Sequence, residues 1–236
     1  GIPRAFTDHR LMLRMKGLDA VAVVAPKELH HSITMDALAA RKHVICEKPF
    51  ATKLEDACEM WKAAETAGIT HMIAHEFRFS PARARVKELI DEGYLGPLHS
   101  AFISVVRGGQ LSKRPYNRAR DDAELGGGLL WSQGSHNVDC LRHWFGEVAW
   151  VSGKVFTHNG ERTTESGDTI ETTADDAFAM TIGFVDGGWA SLTASSAAGY
   201  GSGVRVEIYG RDGTLVTPHP NIDSPNPPPH AQLIGA

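Results

Sequence analysis

Three apolar runs, set apart by helix-length segments, constrain this chain most. They are Asp19-Ala-Val-Ala-Val-Val-Ala-Pro26, His43-Val-Ile-Cys-Glu47 and Thr70 to His75. The first is continuous and stopped by proline, the pattern of a strand buried on both faces. Segments near 28–41 and 52–67 lie between the runs and read as helices. Thr52-Lys-Leu-Glu55 has the form of a capping box, and Gly68 closes the helix it opens. A short helix to about Met15, capped by Thr7 or Asp8 and ended at Gly17, precedes the first run. Strand, helix, strand, helix, strand predicts right-handed βαβ units and a parallel sheet.

After Ser80-Pro81, an N-cap with proline at the first helical position, the grammar changes. A helix over 81–92 ends at Gly93. Leu98 to Arg107 alternates apolar and polar residues like a half-buried strand. A polar loop over 108–124 carries Lys113, Arg114, Tyr116, Arg118 and Arg120, and a helix is expected from Gly127 to Phe145. Strands follow near 147–157, 175–186, 188–197, 203–210 and 213–217, with turns such as Asp186-Gly187 between them. Strands in succession without helices indicate an antiparallel sheet. The predicted fold is therefore α/β: a partial Rossmann parallel sheet over 1–76, then an α+β domain with a predominantly antiparallel open sheet over 77–236. Ser224-Pro-Asn-Pro-Pro-Pro229 reads as extended, polyproline-like chain.

Composition narrows the function classes. The 236 residues carry a formal net charge of -4, with lysine and arginine scattered rather than gathered on a basic face. That argues against nucleic-acid binding. Cys46, Cys58 and Cys140 are widely spaced and form no CxxC, which fits a reduced, cytoplasmic protein. No window is apolar enough for a membrane span, and no signal peptide is visible. The chain opens Gly1-Ile-Pro without an initiator Met and reads as a piece of something longer.

Polar groups cluster where the predicted strands end. Ala25-Pro26-Lys27-Glu28-Leu29-His30 follows the first strand, Glu47-Lys48-Pro49 the second and Glu76-Phe77-Arg78-Phe79 the third. Ligands of open α/β sheets sit in the crevice beyond the carboxyl ends of the strands. Alone, Glu47 and Lys48 read as an ordinary solvated charge pair at a strand end. Gly126-Gly-Gly-Leu-Leu-Trp-Ser-Gln-Gly-Ser-His-Asn-Val-Asp139 places Ser132, His136, Asp139 and His143 at helical spacing on one face. Its three glycines permit close approach of a ligand or another backbone. By itself His136 is either a functional group or a hydrogen-bonded structural histidine.

Together, Glu47-Lys48-Pro49, Phe77-Arg78-Phe79, Gly126-Gly127-Gly128 with His136 and Asp139, and the late turn Tyr209-Gly210-Arg-Asp-Gly213 resemble the Gfo/Idh/MocA family. These are NAD(P)-dependent oxidoreductases of sugars and polyols, and the resemblance runs from about residue 5 to about 217. It implies Lys48 and His136 as catalytic residues. It places Ala25, Pro26, His30, Glu47, Lys48 and Pro49 beside an NAD or NADP nicotinamide. Arg78, Tyr116, Ser132 and Asp139 would face the substrate. A neutral histidine, with a reference pKa near ~6.5, suits removal of a hydroxyl proton, and lysine can hydrogen-bond the developing alkoxide. No metal is required.

Two departures stand out. Ser132 occupies a position where many members carry an aspartate. No GxGxxG follows a first strand, and Gly199-Tyr-Gly201-Ser-Gly203 lies between predicted strands rather than before a helix. The expectation is that the phosphate-binding unit precedes Gly1 and that this stretch alone binds NAD(P) poorly. The same fold also serves NAD-dependent glycosidases and non-catalytic sugar- or cofactor-sensing relatives, which remain alternatives. His71 and His75 share a strand face without a helical metal-binding frame. A homo-oligomer is expected through the open sheet, on segments such as Ala177 to Phe184 and Trp189 to Ala194.

Overall fold

The computed structural model describes residues 2–107, 114–217 and 234–235. The chain divides into two compact units, Gly1–His75 with Glu124–Gly126, and Glu76–Ala123 with Gly127–Ala236.

The first unit is a parallel sheet in the order β1-β2-β3, formed by Ala20–Val23, His43–Cys46 and His71–Ile73. Val21 pairs with Val44, and Val44 with His71. Helix α1 (His9–Leu13) is capped by Asp8, whose carboxylate accepts the Arg10 N–H at 2.8 Å. Helix α2 (His30–Ala39) connects β1 to β2, and α3 (Leu54–Ala67) connects β2 to β3. Val21, Val23, Val44 and Cys46 join Ala37, Leu38, Met60 and Ala64 in one core. Two sequence expectations change here. Strand β1 is not buried on both faces, because Ala20 and Ala22 are exposed and only the side toward the core is covered. The capping box at Thr52 does not form, because α3 starts one residue too late for it. Lys53 is the N-cap and makes no side-chain capping bond, while Glu55 and Asp56 still place negative charge in the first turn. Gly68 ends α3 with φ +61°, a left-handed stop that glycine adopts freely.

The second unit is a seven-stranded sheet with helices packed on one face. Its strands are β4 (Leu98–Val106), β5 (Val148–Phe156), β8 (Ala177–Phe184), β9 (Trp189–Ser195), β10 (Gly203–Gly210), β11 (Thr214–Val216) and β12 (Ile234–Gly235). The order is β12-β11-β10-β4-β9-β8-β5. The sheet is mixed: β4 and β9 run parallel, and every other pair is antiparallel. The parallel pair follows from the long connection after β4, which delivers the chain to the far edge at β5. The β5-β8-β9 meander then returns with two reversals. A two-stranded hairpin, β6 (Glu161–Thr163) with β7 (Thr169–Glu171), lies outside the large sheet. It was missed in sequence because each strand is only three residues long.

Helices α4 (Pro81–Asp91) and α6 (Ser135–Phe145) contribute Val86, Cys140, Leu141 and Trp144 to the core. There they meet Ile103, Val105, Ile182, Leu192, Val206 and Ile208 from the strands. The 114–123 segment is not all loop, since Arg118–Asp121 forms a single helical turn, α5. Lys113 and the proline-rich Ser224–Pro229 lie outside the described residues.

Candidate active site

In the first unit, β1 and β2 end side by side and their outgoing chains are tied together. The Glu47 N–H donates to Val23 O at 3.0 Å, and Lys48 N–H to the Glu47 carboxylate at 3.1 Å. The knot is His30, at the start of α2 and only 1% exposed. Its Nδ1 lies 2.9 Å from Pro49 O and its Nε2 2.9 Å from Ala25 O. Lys48-Pro49 is a cis peptide. Glu47, Lys48 and Pro49 are half-buried, Ala25 is half-buried and Pro26 is exposed. The structure thus brings together the residues after β1 and β2 that were singled out in sequence, and it engages both ring nitrogens of His30 with backbone. The neighbouring Cys46 thiol is buried, and burial pushes its pKa up to about 11, so it is held neutral.

In the second unit, the predicted helix from Gly127 begins later and differently. Residues Leu130–Gly134 form a π-helical turn, and α6 proper starts at Ser135. Such turns are often found at functional sites. The glycines before it accommodate protein rather than ligand. A Cβ at Gly127 would lie 2.6 Å from the carbonyl oxygens of Arg120 and Asp122. Gly128 has φ +110°, and a Cβ there would stand 2.1 Å from the Asp175 carboxylate. Asp175 accepts the Leu130 N–H at 2.8 Å and so caps the helical segment from a distant strand connection. Burial pushes its carboxyl above the usual carboxylate range, against the lowering effect of that backbone donor.

His136 is 1% exposed and stacks on Phe77, with ring centroids 4.1 Å apart and planes 15° from parallel. Its Nδ1 lies 3.6 Å from the Glu76 carboxylate. Arg78 and Asp139, both expected to face substrate, pair with each other through two parallel contacts, Nε to Oδ2 at 2.9 Å and Nη2 to Oδ1. His143, on the same helix, has its pKa lowered by burial and by the charges of Arg78 and Lys87. Ser132 is half-buried, with its hydroxyl 3.4 Å from Leu129 O. Tyr116 is half-buried, and its N–H donates to Thr163 O at 2.9 Å. The segment around Tyr116 is anchored by Asp121, which is 2% exposed. Asp121 accepts Arg114 Nη2 at 2.6 Å, Arg162 Nε at 3.2 Å and Asn117 N–H at 2.8 Å. Burial pushes the Asp121 carboxyl up, but Arg114, the Asn117 N–H and Arg162 together outweigh it and hold its pKa below the usual value. Glu76, Phe77 and Asp175 were not among the site residues expected from sequence. Glu76 and Phe77 had a signal, their place at a strand top; Asp175 had none.

Among the described residues, no group of three or more His, Cys, Asp or Glu is arranged to hold a metal. His31 pairs with Glu59 and His71 with Glu65. No described helix is long and apolar enough to cross a membrane.

Comparison with known proteins settles the family. Residues 84–216 match the profile of the GFO/IDH/MocA C-terminal domain, and residues 1–75 match that of the oxidoreductase family with an NAD-binding Rossmann fold. The chain belongs to the Gfo/Idh/MocA family. Among curated members, a levoglucosan dehydrogenase of Pseudarthrobacter phenanthrenivorans is 29% identical over 231 residues, covering 92% of this chain and 59% of the relative. A crystal structure of an NAD-binding oxidoreductase from Klebsiella pneumoniae has a TM-score of 0.85 at 29% identity, over 90% of this chain and 57% of that one. A levoglucosan dehydrogenase in complex with NADH and levoglucosan reaches a TM-score of 0.80 at 29% identity, again over 90% and 57%. The chain therefore spans less than two thirds of the Gfo/Idh/MocA relatives it matches.

Proposed function

We propose that the whole protein of which this chain is part is an NAD(P)-dependent oxidoreductase. It would transfer hydride between a secondary alcohol of a sugar or polyol and the nicotinamide. The observation that carries this reading is the setting of His136. A buried imidazole, held flat against Phe77 with a carboxylate at 3.6 Å from Nδ1, is oriented as a proton acceptor should be. At that distance Glu76 does not make a normal hydrogen bond. It is close enough to favour a proton on Nδ1, the tautomer in which the other ring nitrogen carries the lone pair that accepts a hydroxyl proton.

NAD(P), when bound, accepts the hydride. Half-buried charged side chains at the ends of parallel strands fit the nicotinamide end of such a cofactor. Glu47, Lys48 and Pro49 serve that side, with Ala25 and Pro26. His30 acts behind them, holding the Ala25 and Pro49 carbonyls. Lys48 stabilises negative charge developing on the substrate oxygen. Arg78 and Asp139 act as a fixed pair, and Tyr116 and Ser132 offer hydroxyls to a polyol. A serine at 132 leaves one carboxylate fewer than the common family pattern, which favours a substrate bound by neutral hydrogen bonds. The relatives support the substrate class, since one is a levoglucosan dehydrogenase.

The protein also assembles with copies of itself through the open face of the large sheet. Trp189, Phe102 and Tyr209 form an edge-to-face row there, with centroids 5.2 and 6.0 Å apart. Trp150 continues the row over Gly183, where a Cβ would lie 2.1 Å from its indole nitrogen.

The test is NADH formation by the whole protein against a panel of sugars and polyols. Lys48→Ala and His136→Asn are each expected to lower kcat by about 10²–10⁴-fold, the usual contribution of a positioned acid–base group. Near-native turnover in either variant removes that residue from the mechanism. Turnover of a nitrophenyl glycoside without net NADH would replace this reading with the glycosidase one.

A further inference from the structure

We infer that Arg83 is a positioning residue for His136, acting through Phe77 and Asn137; the inference rests on the role proposed above for His136. Arg83 sits in the first turns of α4 and is 0% exposed, the largest fully buried side chain described. Arginine is almost never so deeply buried without a specific setting, because removing its charge from water is costly. Val86, one turn further along α4, is also 0% exposed, so this helix face is otherwise apolar. A leucine or methionine would fill the space without that cost.

The setting of Arg83 is made of flat groups. Its guanidinium carbon lies 5.2 Å from the centre of the Phe77 ring and 5.7 Å from that of Trp144. Both distances are within reach of cation–π attraction, and the planar guanidinium also stacks on aromatic faces. Nη2 donates to Asn137 Oδ1 at 2.9 Å, while Asn137 Nδ2 donates to Gln133 O at 2.9 Å. The Trp144 indole N–H donates back to Arg83 O at 3.3 Å. Arg83 thus joins the turn at Glu76–Phe79, helix α4 and helix α6 at a single point.

His136 touches this cluster twice. Its ring lies on Phe77, and its chain neighbour is Asn137. Neither contact alone sets the imidazole: a phenyl ring can rotate or slide, and an asparagine beside it fixes only backbone. With Arg83 in place, the phenyl is attracted to a fixed cation and the asparagine is locked at both ends of its amide. The plane of the imidazole follows. Small displacements of such a group lower the rate far more than they lower binding.

The experiment compares Arg83→Met, Arg83→Lys, Phe77→Leu and the Arg83→Met/Phe77→Leu double variant in the whole protein. Arg83→Met is expected to fold with a lowered Tm, since it leaves the buried Asn137 Oδ1 without its donor. Its kcat should fall about ten- to a hundred-fold, with KM for sugar and for NAD nearly unchanged. Arg83→Lys, which keeps charge but not the planar fork, should fall less. In the Phe77→Leu background, adding Arg83→Met should lower kcat by a smaller factor than in the native protein, because one of the two routes is already broken. If Arg83→Met does not fold, Arg83→Lys and Phe77→Leu carry the same comparison. A folded Arg83→Met or Arg83→Lys with native kcat overturns the inference, as does a double variant whose losses simply multiply. The His136 ring signals in NMR are read in the same proteins. Altered signals in Arg83→Met, in a protein without sugar oxidation, would sink the proposed function while leaving the positioning role. Unaltered signals would sink the positioning role itself.

Discussion

His30 and His136 are both buried imidazoles, and their surroundings differ. His30 has a backbone carbonyl at each ring nitrogen, so its polar atoms are spent on shaping two loops. His136 has a ring on its face and a carboxylate near one nitrogen, the setting on which its proposed role as proton acceptor rests. The family resemblance set His136 in catalysis and His30 beside the nicotinamide, but nothing in the sequence marked the two backbone carbonyls that His30 meets. Asp175 is the opposite case. It lies 45 residues from the Leu130 N–H it accepts, and nothing in its local sequence marks it. Its carboxyl is raised by burial, so the folded protein holds the proton more tightly than the unfolded chain does. The resulting stabilisation is present below the ordinary aspartate value of 3.8 and is lost as pH rises through the folded-state value. Asp175→Asn keeps an acceptor for Leu130 and removes that titration. Its Tm is therefore expected to decline less than the native protein's as pH rises above about 4. Parallel Tm profiles for the two proteins would show that Asp175 does not titrate this way.

At the scale of elements, Asp121 holds together pieces that propensity alone would leave loose. It joins the four-residue α5 to Arg114 and, through Arg162, to the β6–β7 hairpin. Its carbonyl also accepts the N–H groups of Thr173 and Ala174. A four-residue helix and a hairpin of three-residue strands are too short to persist alone. Removing one partner of a buried ion pair strands the other charges. Asp121→Ala should therefore destabilise the second unit by about 3–5 kcal/mol, measured by denaturant unfolding. A loss under about 1 kcal/mol would mean that the network is solvated in practice. The π-helical turn before α6 is a related case. The glycines that allow it were visible in sequence, but their purpose was not, because the atoms they make room for belong to Arg120, Asp122 and Asp175.

For the whole molecule, the consequential surface is the uncovered face of the large sheet. Edge strand β5 is exposed along almost its whole length, and Trp150 and Val151 are 52% and 64% exposed. Apolar area of this kind on an edge strand and its neighbouring face marks an interaction site. Size-exclusion chromatography with light scattering on the whole protein is expected to give a dimer or larger assembly. Trp189→Lys combined with Phe102→Glu should shift it toward monomer without lowering Tm greatly, because both side chains are already partly exposed. A native protein that elutes as a clean monomer would rule the assembly out.

The sequence by itself determined the grammar of the chain: apolar strands and glycine-stopped helices in βαβ order, then consecutive alternating strands. That sufficed for the class of each unit and, with the motif order, for the Gfo/Idh/MocA family. These features are local, since period and punctuation are written within ten or fifteen residues. Tertiary structure alone decided the pairings: β4 running parallel to β9, Arg78 taken up by Asp139, Asp175 capping a helix from afar, and Arg83 buried between two rings. Each depends on groups far apart in the chain, and no local pattern records which buried polar atoms will meet.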